Sequence, residues 1–280
     1  MIPPLVLFDL DDTLFAHQGA VAEGIQRHLG SVGGPFAGAD PVAAVTLWHA
    51  LEEQHYHSYL AGELDFQGQR LARARDFAAA HGVELTDGDA RAWFDTYFLR
   101  YRECWRLHDD ALPCLDDLAD AFPGIRFGLI TNGDLAFQGE KLRATGLDAR
   151  VDHVIASGEL GVVKPDARIF HHACEVFGVA AEAAVYVGDR LRTDAIGAAA
   201  AGLTGVWLDR HGATVTEADA AEAQRLGVIR ITALAALPSA LAALPSLPSA
   251  LPALPSLPSA LPALPSAHPA LPALPSAHPV

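Results

Sequence analysis

The chain of 280 residues and 29.5 kDa has room for one large or two small domains at ~150 residues each. Its 34 acidic against 19 basic side chains give a formal charge of -15 with no Lys/Arg cluster, which speaks against nucleic acid or an anionic membrane surface as a partner. Cys104, Cys114 and Cys174 are odd in number and lack C-x-x-C spacing, and Met1-Ile2-Pro3-Pro4 has no basic n-region; a disulfide framework, a thiolate zinc site and a secretory signal are excluded, and a cytoplasmic protein is expected.

Residues 5–8 form an apolar run ending at Asp9, the pattern of a strand buried on both faces of a parallel sheet. Residues 16–106 read differently, with helical periodicity over 42–60, 66–80 and 87–105 and no strand pattern. Trp48, Trp93, Trp105 and four of the five tyrosines give this all-helical insertion the apolar mass of a small bundle. Alternation of strand and helix then resumes: strands at 125–130, 153–156, 185–187 and 205–208, and helices at 135–145, 167–177 and 193–201, predict an α/β fold with a doubly wound parallel sheet. From Pro238 onward there is no Asp, Glu, Lys or Arg, and 12 of the 19 prolines fall there. The decapeptide LPSLPSALPA occurs twice in succession from Leu244, so residues 238–280 are expected to be a disordered low-complexity tail.

The predicted strands end in polar turns, where doubly wound sheets build their sites. Asp9 and Asp11, two apart, would point the same way on an extended backbone. One carboxylate can then attack a phosphoryl centre while the other handles the leaving-group proton. An EF-hand is rejected, because positions six and twelve from Asp9 are Leu14 and Ala20 rather than Gly and Glu. Thr131 and Asn132 can offer a hydroxyl and main-chain N–H groups to phosphate oxygens. Lys164 is one of two lysines, with Lys141, in a chain that uses arginine 17 times, which suggests a need for a compact point charge. Asp189 and Asp194 add carboxylates at a further strand end, and Asp9 with Asp189 meets the preference of Mg2+ for one or two carboxylates plus phosphate. His55 with His57 and His171-His172 lack the spacing of shared metal ligands, and no dinucleotide, P-loop, zincin or serine-hydrolase motif occurs.

The segments FDLDDT, LITNG, GVVKPD and GDRLRTD, in that order, resemble the four motifs of the haloacid dehalogenase superfamily. The likeness runs from residue 2 to about residue 210, and the helical insertion after the first motif resembles the C1 cap of subfamily I phosphatases. It implies a Rossmann-like catalytic core (1–15 and 107–237), a cap (16–106) and a Mg2+-dependent phosphohydrolase acting on a small phosphorylated metabolite. Carried over, Asp9 is the nucleophile and Asp11 the general acid/base. Thr131, Asn132 and Lys164 hold the phosphoryl group. Asp9, the backbone carbonyl of Asp11 and Asp189 bind the metal, with Asp194 and Thr13 orienting those groups. Alternatives of the same fold are a haloacid dehalogenase and a phosphomutase; from another class, the tail can make the chain an interaction protein. Asp11 favours the phosphatase, because halide leaves without a proton whereas an alkoxide needs one.

Overall fold

A computed structural model describes residues 3–244. Among them, six strands pair in parallel in the order β3-β2-β1-β4-β5-β6: β1 (Leu5–Phe8), β2 (Arg126–Thr131), β3 (His153–Ala156), β4 (Ala184–Gly188), β5 (Thr204–Leu208) and β6 (Ile229–Ile231). This is the doubly wound order, and β1 lies between β2 and β4, where the winding reverses. Phe8 is level with Leu129 on one side and Val187 on the other.

Alternation along β1 sorts its side chains onto two faces. Val6 and Phe8 join a core with Leu115 and Leu118 of the helix Ala111–Ala121, whereas Leu5 and Leu7 pack with Ile169, Phe170 and Phe177 of the helix Ala167–Phe177. Both faces are covered, so the strand is apolar at every position, as its sequence demands.

The helical layer between β1 and β2 consists of α1 (His17–Val32), α2 (Pro41–Leu60), α3 (Phe66–Ala80) and α4 (Asp87–Glu103) around a separate core of Trp48, Phe77, Trp93 and Tyr97. The last three helices start at Asp40, Asp65 and Thr86, whose side chains accept a hydrogen bond from the first turn. α1 lacks such a cap and carries three glycines, which hides its periodicity. One of them has a packing reason: a Cβ on Gly24 would lie 2.8 Å from the Cα of Tyr101 in α4, so only glycine allows this approach. The layer joins the core through adjacent chain crossings, with Phe15 bridged to Leu107 and the Ala16 N–H donating to the Arg106 carbonyl at 3.0 Å.

The remaining helices are α5 (Ala111–Ala121), α6 (Leu135–Thr145), α7 (Ser157–Leu160), α8 (Ala167–Phe177), α9 (Gly197–Ala200), α10 (Glu217–Arg225) and α11 (Leu237–Ala242). The helix expected over 193–201 instead begins as a π-helical segment, Leu191–Ile196, before α9. This wide turn presses the Asp194 side chain onto Gly188, where a Cβ would lie 2.4 Å from it. A second correction concerns the tail. Residues 238–242 are helical within α11, and Leu237 and Leu241 are buried against the α5 face, because these leucines, four apart, share one side of the helix. The expectation of disorder from Pro238 therefore fails for this segment, and residues 245–280 lie outside the described residues. No described helix is long and apolar enough to cross a membrane.

Candidate active site

Because β2, β1 and β4 are neighbours, their carboxyl ends bring together groups far apart in sequence. Asp9 follows β1, Thr131 ends β2, and Asp189 follows β4. Lys164 arrives from the loop between α7 and α8. Its ammonium donates to Asp9 Oδ1 at 2.6 Å, to Asp194 Oδ1 at 2.7 Å and to the Tyr186 hydroxyl at 2.7 Å, so all three donors are satisfied although the residue is only 5% exposed. Asn132 fixes the backbone of this lysine: its amide oxygen accepts the Lys164 N–H at 2.7 Å and its NH2 donates to the Lys164 carbonyl at 3.1 Å. The Asn132 side chain is thus committed to Lys164, leaving its main chain for any phosphate contact.

Asp9, Asp189 and Asp194 each present a carboxylate oxygen within 4.8 Å of the others. Asp194 is already engaged, with Lys164 on Oδ1 and the Arg190 N–H on Oδ2 at 2.9 Å. Burial pushes the Asp9 carboxyl up to about 7, against the pull of Lys164 and with help from Asp194 and Asp11. Burial, then Asp9 and Asp194, holds Asp189 well above the usual carboxylate range. An all-oxygen set with more negative charge than one lysine balances suits a hard divalent cation such as Mg2+.

Asp11 faces elsewhere. The Asp9 N–H still donates to the Val187 carbonyl of β4 at 2.8 Å, and the chain turns at Asp12, whose φ is 62° and whose N–H donates to the Phe15 carbonyl at 2.7 Å. The Lys141 ammonium donates to Asp11 Oδ1 at 2.6 Å and Gln138 Nε2 to Oδ2 at 2.9 Å; the same Nε2 reaches the Thr131 hydroxyl at 3.0 Å. Burial works to raise the Asp11 carboxyl, but Lys141 and His17 outweigh it and hold it at about 2. Thr13 is buried, its hydroxyl 3.5 Å from Asp9 Oδ2.

The helical layer contributes its own groups. Tyr56 of α2 donates its hydroxyl to the Asn132 carbonyl at 2.9 Å, and Glu53 of α2 pairs with Arg190. Arg73 donates to Glu52 at 2.7 Å; His17 Nε2 lies 3.6 Å from Glu52 and its Nδ1 3.8 Å from Asp11. A chain of polar contacts thus runs from Arg73 of α3 through Glu52 and His17 to Asp11. Two of the four histidines rejected as ligands have other partners: His55 binds Asp76 at 2.8 Å, and His171 binds the Ala201 carbonyl at 2.8 Å.

The sequence profile of the haloacid dehalogenase-like hydrolases matches residues 3–202. The chain belongs to this family. Among relatives of this hydrolase, the phosphoserine phosphatase of Thermus thermophilus is 32% identical over 249 residues, covering 82% of this chain and 98% of that protein. The glyceraldehyde 3-phosphate phosphatase of Methanopyrus kandleri is 31% identical, covering 73% and 83%. The HAD-hydrolase YfnB from Bacillus subtilis, solved bound to magnesium, superposes with a TM-score of 0.69 at 20% identity over 86% of this chain and 100% of its own. The L-2-haloacid dehalogenase of Xanthobacter autotrophicus does so at 0.63 and 21%, over 88% and 100%. Both are similar to this haloacid dehalogenase-like hydrolase in fold.

Proposed function

We propose that this hydrolase is a Mg2+-dependent phosphatase that cleaves a small phosphorylated metabolite through an aspartyl-phosphate intermediate, with the helical layer acting as its cap. The carrying observation is the pairing of Asp9 with Lys164 beside the carboxylate of Asp189, while a second carboxylate, Asp11, comes from the next turn.

Asp9 Oδ2, the oxygen not bonded to Lys164, is the attacking atom. As its bond to phosphorus forms, the ester P–O bond breaks and the leaving oxygen takes a proton from Asp11. Water then attacks the phosphorus of the aspartyl phosphate, gives its proton to Asp11, and frees Asp9 and inorganic phosphate. At rest the Lys141 pairing keeps Asp11 ionised; the negative charge of an arriving phosphate opposes that pairing and favours the protonated acid. Thr131 and the Asn132 N–H hold phosphoryl oxygens, Lys164 neutralises charge on them and aligns Asp9, and Asp194 orients Lys164, with Thr13 packed beside the nucleophile. Asp9, the Asp11 carbonyl and Asp189 would hold Mg2+, which when bound supplies positive charge to the transferring group.

Asp11 is the residue that favours a phosphatase over the dehalogenase alternative, since halide needs no proton. The two named relatives act on phosphoserine and on glyceraldehyde 3-phosphate, which supports a small phosphorylated metabolite as substrate class. Phosphate release from p-nitrophenyl phosphate and from phosphoserine is expected with Mg2+, and is lost on chelation and in Asp9→Asn. Release that survives either change overturns the reading. Metal-independent halide release from 2-chloropropionate would mark a dehalogenase, and interconversion of sugar phosphates without net phosphate release a phosphomutase.

A further inference from the structure

We propose that Lys141 and Gln138 of α6 are positioning residues that clamp the proton-transferring carboxylate of Asp11; the inference rests on the phosphatase reading above. The two residues are three apart and therefore project from one face of α6, and they take different oxygens of one carboxylate, Oδ1 and Oδ2. A carboxylate held at both oxygens cannot rotate about its terminal bond, so its remaining lone pairs keep one direction.

The burial of Lys141 is the second line of argument. Lysine is rarely buried without a partner that warrants it, yet Lys141 is 2% exposed and its ammonium has one carboxylate partner, Asp11. The rings of Phe15 and Phe137 also face it, with centroids 4.9 and 5.0 Å from Nζ, and His17 Nδ1 lies 3.8 Å from the same Asp11 oxygen. An apolar side chain would fill that space at lower desolvation cost; what it would not supply is a fixed cation on Asp11. Gln138 adds a link between the two parts of the site, because one amide nitrogen bonds both Asp11 Oδ2 and the Thr131 hydroxyl. The acid/base and the phosphate-binding threonine are thereby set relative to each other by a single side chain.

The step that depends on this alignment is ester cleavage: the P–O bond breaks, its electron pair stays on the leaving oxygen, and that oxygen takes the proton of Asp11 as phosphorus passes to Asp9. Proton transfer matters for an alkyl ester and little for an activated aryl ester. The test uses full-length, Mg2+-loaded protein with phosphoserine and p-nitrophenyl phosphate. Lys141→Met keeps the buried stem and removes the charge. It is expected to lower kcat on phosphoserine at least tenfold more than kcat on the aryl ester, with both KM values within about twofold of the parent protein. Equal losses on both esters, or no loss on either, overturn the positioning role. Should Lys141→Met fail to fold, Gln138→Leu gives the same readout: a preferential loss on phosphoserine supports the clamp and a parallel change overturns it. A parent protein that hydrolyses neither ester overturns the phosphatase reading itself, and is distinguishable from failure of the clamp.

Discussion

Asp189 is the residue at which stability and function are expected to part. Three carboxylates with oxygens within 4.8 Å of one another share one lysine, and that lysine bonds Asp9 and Asp194. Two unit charges at that distance repel by about 3.5 kcal/mol at an effective dielectric constant of about 20. The metal-free protein relieves part of this by binding protons, which is what the raised Asp9 and Asp189 carboxyls express. Asp189→Asn removes one charge outright and is expected to stabilise the metal-free protein by about 1–2 kcal/mol, which is roughly 2–8 °C in Tm for a chain of this size. The sign of the pH dependence follows. A carboxyl raised on folding holds its proton in the folded state between its ordinary value of 3.8 and, for Asp9, about 7, so the metal-free parent loses stability as pH rises through that window. Asp189→Asn should flatten the slope. Mg2+ does the reverse for the parent, adding about 2.7 kcal/mol at a hundred times its Kd, and should add far less to the variant. Thermal unfolding in EDTA and in Mg2+, from pH 5 to 8, with phosphate release measured in parallel, reads all of this. If Asp189→Asn melts no higher than the parent in EDTA, or gains as much from Mg2+, the account of crowded carboxylates is refuted.

Three further perturbations bear on the surrounding structure. His28 is buried without a hydrogen-bond partner for either ring nitrogen and packs edge-on to Trp93; burial, then Arg100, lowers it to about 4, so acidification from pH 8 to 5 should cost about 2 kcal/mol of stability, and His28→Leu should remove that slope in acid melts. Leu241→Ala should cost about 2–4 kcal/mol, and a chain ending at Leu237 should melt lower than one ending at Leu244; equal melting temperatures would show that α11 contributes no packing. Tyr56→Phe removes the hydroxyl that joins α2 to the Asn132 carbonyl, at about 0.5–1.5 kcal/mol, and should change the kcat/KM ratio between phosphoserine and p-nitrophenyl phosphate more than it changes the aryl rate, as steady-state kinetics would show.

The sheet was readable because parallel strands covered on both faces must be apolar throughout, and the polar residue that enters the site ends the second strand and directly follows the first and the fourth. β6 escaped because it is three residues long and places the exposed Arg230 between two isoleucines. α1 escaped because Gly24, required by the approach of Tyr101, dilutes the apolar stripe. At the site, Asp9, Asp189, Asp194, Thr131 and Lys164 stand at strand ends or in short motifs, and the fold brings them together. Lys141 and Gln138 left no local signal: their partner Asp11 lies 130 and 127 residues away, and only the seating of α6 beside the β1 turn joins them. Tyr186 is similarly hidden, since mid-strand it reads as core until its hydroxyl is seen to meet the ammonium of Lys164.

The paired crossings at Phe15–Leu107 and Ala16–Arg106 make the helical layer, in polymer terms, a loop whose two ends already touch. Closing a loop of about 90 residues costs only about 2–3 kcal/mol more than closing one of five, because the entropy grows with the logarithm of length. That excess is no more than the burial of one or two large side chains, and this layer buries Trp48, Phe77 and Tyr97 in a core of its own. The nearly closed splice therefore lets mutation, insertion or replacement act on the intervening helices with little strain on the strands that hold the carboxylates. The helices and the strands can drift at separate rates within one chain.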